Sequence, residues 1–174
     1  GVGRSSTVEI LEEIHFPHSL GLLYGAVTAF CGFEVNSGEY KLMGLAPYGR
    51  PVYAERIRET LIDLRPDGSF RLDLDRFTYL DELRMGGAGL EDVFEGPARA
   101  PGAPIGHREM DRARSVQEVL EDAVLALGKR ARERTGMSRV CLAGGVALNC
   151  VANGRLLRSG IFDDLWVQPA AGDA

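Results

Sequence analysis

Apolar residues recur along the chain in two rhythms, helical spacing and short continuous runs, and their order is the first guide to the fold. Thr7 to Phe16 (TVEILEEIHF) alternates partially through Val8, Ile10 and Ile14, which predicts one strand, or two joined by a bend. Pro17 ends it, and Ser19 stands where a helix N-cap is expected. The helix predicted over Leu20 to Phe33 carries Leu22, Leu23, Tyr24, Ala26, Val27, Phe30 and Cys31. It is apolar on most sides, the pattern of a buried helix. NSGEYKLMGLAPY follows (residues 36–48), dense in Gly and Pro yet rich in Leu, Met and Tyr. It is expected as a loop that packs. Its Glu39 and Lys41 form either a simple surface pair or a pair of ligand contacts, because buried charges are costly without partners.

Tyr53 to Leu64 reads as an amphipathic helix. Asp67-Gly68 then predicts a hairpin-like turn into a strand over Ser69 to Leu74, with Phe70, Leu72 and Leu74 on one face. Tyr79 to Ile105 has little periodicity and is read as peripheral loops with short helical turns; residues 66–109 are expected to be a peripheral insertion. The longest periodic stretch is Met110 to Thr135, with Val116, Val119, Leu120, Ala123, Val124, Leu127 and Ala131 as its apolar face. Lys129, Arg130, Arg132 and Arg134 gather at its end, where the helix dipole favours cations, and Gly136 stops it.

Ser138 to Asn153 (SRVCLAGGVALNCVAN) combines both rhythms. Val140 to Ala143 reads as a strand buried on both faces, Gly144-Gly145 breaks it, and a helix is expected from Val146. Such a turn offers backbone N–H groups to a phosphate, since glycine permits close approach and a helix start supplies unpaired donors. Asn149 is expected about one turn into that helix, within reach of whatever the turn binds. Gly160 ends the helix, Asp163 to Val167 is a further strand, and QPAAGD is a loop at its C-terminal end. Functional groups of open α/β sheets collect at such ends. Asp173 would there hold a metal beside a phosphate, or cap a following helix.

Composition narrows the classes. The chain has 174 residues, 45% hydrophobic and 26% charged, enough for one globular domain with a sizeable core. The net charge of −5, without like-charge runs, gives no nucleic-acid face, and no apolar stretch is long enough to span a membrane. Cys31, Cys141 and Cys150 match no zinc spacing, and an odd number argues against a full disulfide set. Buried free thiols in a reducing cytoplasm are expected. His15 and His18 flank Phe16-Pro17, which disfavours a helical metal pair, and His107 reads as solvated. There is no G-x-S-x-G, H-E-x-x-H or Walker A lysine motif. Both ends look cut, and a fragment of a longer polypeptide is expected.

Three blocks together are more specific than any one: FPHSLGLLYGAVTAFCGFEVNSGEYKLMGLAPYG, CLAGGVALNCVANGRLL and WVQPAAGDA. In this order and spacing the chain resembles the NodU/CmcH family of O-carbamoyltransferases over essentially its whole length. The resemblance implies an α/β fold of the actin/sugar-kinase (RNase H-like) type, a sheet flanked by helices, of which residues 1–174 would be a part. It implies transfer of a carbamoyl group from carbamoyl-adenylate to a hydroxyl of a small-molecule or glycan acceptor. A YrdC-like domain of the same polypeptide would make that adenylate from ATP and carbamoyl phosphate. It further implies that Gly144, Gly145 and Asn149 belong to the adenylate pocket, that Lys41 and Gly49 line the same pocket, and that Asp173 helps hold an iron-type divalent metal. The family's paired metal-binding histidines, its first phosphate-binding strands and the YrdC-like domain are absent from this sequence. The piece alone is therefore expected to be inactive and its metal site incomplete. A sugar-kinase or ATPase-like domain, or a non-catalytic module of the same fold, is the competing expectation.

Overall fold

The longest helix organises the molecule. A computed structural model describes residues 1–80 and 85–172. Helix α5, His107–Thr135, buries Ala113, Val116, Val119, Leu120 and Ala123 against α1 (Leu20–Phe30), α2 (Glu39–Leu45) and α3 (Ala54–Thr60). Gly136 stops α5 with φ 67°, a left-handed conformation that glycine adopts without a Cβ penalty. Ser19 caps α1 as expected, its hydroxyl accepting from the Leu22 N–H at 3.4 Å. Leu23 and Val27 are fully buried there, and burial of such side chains contributes about 1.5–3 kcal/mol each.

Around this helical body lie small sheets. Strands β1 (Val2–Arg4) and β2 (Thr7–Glu9) form an antiparallel hairpin, as do β3 (Ile62–Leu64) and β4 (Phe70–Leu72). Strands β5 (Arg139–Leu142) and β6 (Asp164–Val167) pair in parallel through α6 (Cys150–Arg158). The architecture is thus mixed α/β, with small antiparallel and parallel sheets flanked by helices. No described helix is long and apolar enough to cross a membrane.

Several expectations change in detail. The N-terminal strand is only Thr7–Glu9, because it pairs within its own hairpin and no strand continues to Phe16. Residues 39–45 are helical, not loop: Leu42 is fully buried, and that packing outweighs the poor propensity of Gly44. Residues 62–64, expected at the end of a helix, are a strand because Ile62 and Leu64 pair with Leu72 and Phe70 across the Asp67-Gly68 turn. The segment read as peripheral loops with short helical turns does hold a short helix, α4 (Ala88–Val93), but Leu90, Val93 and Phe94 join the core. Strand β5 is not buried on both faces: Arg139 and Cys141 are exposed, as are Asp164 and Trp166 opposite them. Of the three thiols only Cys31 is buried. The basic end of α5 does more than complement a dipole. Arg130 makes a bidentate pair with Glu12 at 2.7–3.1 Å, and Arg132 donates to the Gly136 carbonyl.

One buried cation had no signal in the periodicity. Arg112, fully buried on α5, stacks its guanidinium 4.6 Å from the Phe30 ring centroid and 5.7 Å from that of Phe94. It donates to the carbonyls of Gly96 and Pro97 and to Glu109, which tethers the segment before α5 to the core.

Candidate functional site

The turn after β5 is built as the sequence suggests, then departs from it. Gly144 has φ 91° and ψ 162°, a region that essentially only glycine enters. Gly145 to Leu148 form one turn of 3-10 helix, closed by the Ala147 N–H to the Gly144 carbonyl at 2.9 Å. The α-helix starts only at Cys150. Asn149 is therefore not one turn inside it but its N-cap: Oδ1 accepts from the Ala152 N–H at 3.0 Å. A Cβ at Gly145 would meet nothing within 4 Å, so the backbone there is open to an approaching group.

Asn149 is also half of a buried amide pair. Its Nδ2 donates to Gln117 Oε1 at 2.9 Å, and Gln117 Nε2 donates back to Asn149 Oδ1 at 3.1 Å. Tyr24 donates its hydroxyl to Gln117 Oε1 at 3.0 Å, and Gln117 Nε2 also donates to Glu121 Oε1 at 3.2 Å. Burial pushes the Tyr24 phenol up, which keeps it a neutral donor. Glu121 is held by Arg114 at 3.4 Å and Arg155 at 3.2 Å. Sequence reasoning found Asn149 but missed Gln117, Tyr24 and Glu121. The available signal was local: Gln117 sits among Ala113, Val116 and Leu120, a polar residue set in an apolar stripe.

Gly145 and Asn149 line one cavity of about 670 Å³, together with Tyr24, Glu39, Met43 and Gly172. That volume lies in the range of roughly 300–1,000 Å³ typical of small-molecule sites. Its wall is mostly apolar, with a few polar groups, of which Glu39 is a carboxylate whose two oxygens accept from the Asn36 and Gly38 N–H groups at 2.9 and 3.2 Å. Glu39 thus closes its own helix start, and among the described residues it forms no ion pair with Lys41. A larger, more open groove of about 1050 Å³ adjoins it, lined by Glu12, His18 and Arg130, but among the described residues none of the site residues chosen from sequence lines it. There His18 Nδ1 accepts from the Leu72 N–H at 3.1 Å, a structural tie between the start of α1 and β4.

The remaining sequence candidates lie elsewhere. Lys41 is exposed on α2, its Nζ 5.8 Å from the Tyr40 ring centroid. Gly49 follows the 3-10 turn Ala46–Tyr48 and packs against the backbone of α5. Gly144 is exposed and lines neither cavity, although Gly145 beside it does. Asp173 lies outside the described residues. Among the described residues no group of three or more His, Cys, Asp or Glu side chains could hold a metal ion. The described residues do not supply the donor set of an iron-type centre.

Comparison with known proteins identifies the family of this chain. The family described as carbamoyltransferase N-terminus matches residues 2–174, and the chain belongs to that family. It is 59% identical over 162 residues to Uncharacterized protein sll1178 of Synechocystis, covering 93% of the chain and 26% of that protein. It is 42% identical over 172 residues to nodulation protein NolO of Bradyrhizobium diazoefficiens, covering 98% of the chain and 29% of NolO. Nodulation protein NolNO of Sinorhizobium fredii is 40% identical over 175 residues, covering 99% of the chain and 24% of NolNO. The chain spans about a quarter of the length of these relatives.

Proposed function

We propose that this chain is part of an O-carbamoyltransferase and that the cavity beside Gly145 and Asn149 receives the adenylate end of a carbamoyl-adenylate. The observation that carries this reading is the coincidence of two facts. The chain belongs to the carbamoyltransferase N-terminal family, and its glycine turn opens onto a cavity of small-molecule size. The fold reading goes with it: the parallel β5–α6–β6 unit with its glycine turn is taken as a piece of an actin/sugar-kinase-like domain.

In this reaction the acceptor hydroxyl oxygen forms a bond to the carbamoyl carbon. The bond from that carbon to the phosphate oxygen breaks with its electron pair, AMP leaves, and the hydroxyl proton passes to solvent. The residues of this chain orient and bind. In this reading the backbone N–H groups of Gly145 and Val146, at the cavity-lining start of the turn, donate to the phosphate, where fixed donors stabilise growing negative charge without reorganising. The apolar wall of Leu22, Val146 and Met43 excludes water from the base and sugar. ATP, carbamoyl phosphate and a YrdC-like domain of the same polypeptide belong to this reading, as does a small-molecule or glycan hydroxyl acceptor.

The test is to incubate the full-length protein with ATP, radiolabelled carbamoyl phosphate and candidate hydroxyl acceptors. Label in the acceptor together with AMP is the expected result. Release of ADP without carbamoyl transfer would favour a phosphoryl-transfer enzyme instead, and neither label transfer nor AMP release would sink the enzyme reading.

A further inference from the structure

We infer that Gln117 is a positioning residue of the proposed adenylate site, an inference that rests on the functional reading above. Gln117 is fully buried, and its side-chain amide is completely used: Nε2 gives hydrogen bonds to Glu121 and Asn149, and Oε1 takes them from Tyr24 and Asn149. The partners come from α1, from α5 itself and from the N-cap of α6. Their direction is set by charge. The Glu121 carboxylate, held between Arg114 and Arg155, can only accept. It therefore fixes Nε2 of Gln117 on its own side and Oε1 on the side of Tyr24. That in turn makes Asn149 present Nδ2 to Gln117 and keeps Oδ1 for the Ala152 N–H. A reversed amide at Asn149 would set an NH₂ group against the Ala152 N–H and lose the cap. Gln117 thus transmits a fixed orientation from a charged cluster of α5 and α6 to the residue that ends the Gly145–Leu148 turn. It acts through Asn149: Tyr24 and Asn149 line the cavity, whereas Gln117 does not.

The experiment uses the full-length protein and AMP as probe. Gln117→Met keeps the length and apolar bulk and removes the amide; Gln117→Glu keeps the acceptors and removes the donors. Val116→Ala, a neighbouring buried position with no polar role, matches the loss of folding stability. Both Gln117 variants are expected to raise the Kd for AMP by about tenfold, the size of one or two lost hydrogen bonds, while Val116→Ala leaves it within about twofold. Amide hydrogen exchange in the peptide covering residues 149–156 is expected to quicken in the Gln117 variants alone. Equal loss of AMP binding in Val116→Ala would reduce Gln117 to a folding role and overturn the inference. So would unchanged exchange at residues 149–156, or faster exchange with an unchanged Kd. Those three results leave the functional reading standing. Wild-type protein that binds no AMP overturns the functional reading, and the inference falls with it.

Discussion

A Cβ at Gly49 would lie 2.0 Å from the Met110 carbonyl oxygen, whereas one at Gly144 would meet nothing within 4 Å. Both glycines were expected to line one pocket, Gly144 as part of a phosphate-binding turn and by family resemblance, Gly49 by resemblance alone. Gly49 is glycine because α5 runs against it, and Gly144 because its backbone adopts φ 91°. Their surroundings differ in the same sense. Around Gly49 lie α2, α5 and the packed core. Around Gly144 the chain is open, and Cys141 and Cys150 on either side are exposed. A glycine read from sequence says that a side chain is unwelcome. Only the neighbours say whether a helix or a ligand takes its place.

Substitutions can break this contrast. Gly49→Ala should cost about 3 kcal/mol or more, because the obstructing atoms are helix backbone and cannot step aside. An unchanged urea midpoint would show that the seam yields. Asn149→Ala should follow at about 2–4 kcal/mol, combining a lost cap with an unpaired Gln117 amide, and should weaken AMP binding in calorimetry. Gly144→Ala should cost about 1–3 kcal/mol from backbone strain alone, despite open space around it. A cost near zero would mean that the turn relaxes to another conformation.

The thiols extend the contrast by chemistry. Burial pushes the Cys31 thiol up to about 12 from an ordinary value of 9.0, whereas Cys141 and Cys150 are exposed. Because the folded value is raised, the contribution of a neutral Cys31 is fully present below pH 9 and is lost as pH rises toward 12. At pH 8 an aromatic disulfide reagent should modify Cys141 and Cys150 in the native protein. Cys31, its thiol raised by burial and shielded from the reagent, should react only on unfolding. Rapid modification of three thiols would show that the region around α1 opens readily. Gly145→Ala is the smallest and sharpest change. It should alter stability by less than about 0.5 kcal/mol, since the added methyl meets nothing, yet reduce AMP binding by occupying the approach to the turn. Unchanged AMP affinity would remove Gly145 from the site.

What was legible in the sequence follows the range of the interactions. Helices α1 and α5 were readable because their apolar spacing, the Ser19 cap and the Gly136 stop all act within a few residues. The parallel adjacency of β5 and β6 was readable from two apolar runs joined by a helix. Helix α2 was not, because Gly and Pro argue locally against it while Leu42 reaches a core built by distant segments. Residues 62–64 were misread because helix and strand patterns agree over so short a run, and only pairing with β4 decides between them.

The sequence by itself determined the helices with their stops, the glycine turn after β5, the membership of three blocks in one pattern and the candidacy of Asn149. Tertiary structure alone decided what those residues do with their polar groups. Asn149 finds Gln117 across 32 residues of chain, and Gln117 finds Tyr24 across 93. No local rule encodes such pairs: a buried amide must be satisfied, and its partners are whichever groups packing delivers. The same packing set α5 against Gly49 and left Gly145 open to the cavity, a distinction made by neighbours that the residue itself does not specify.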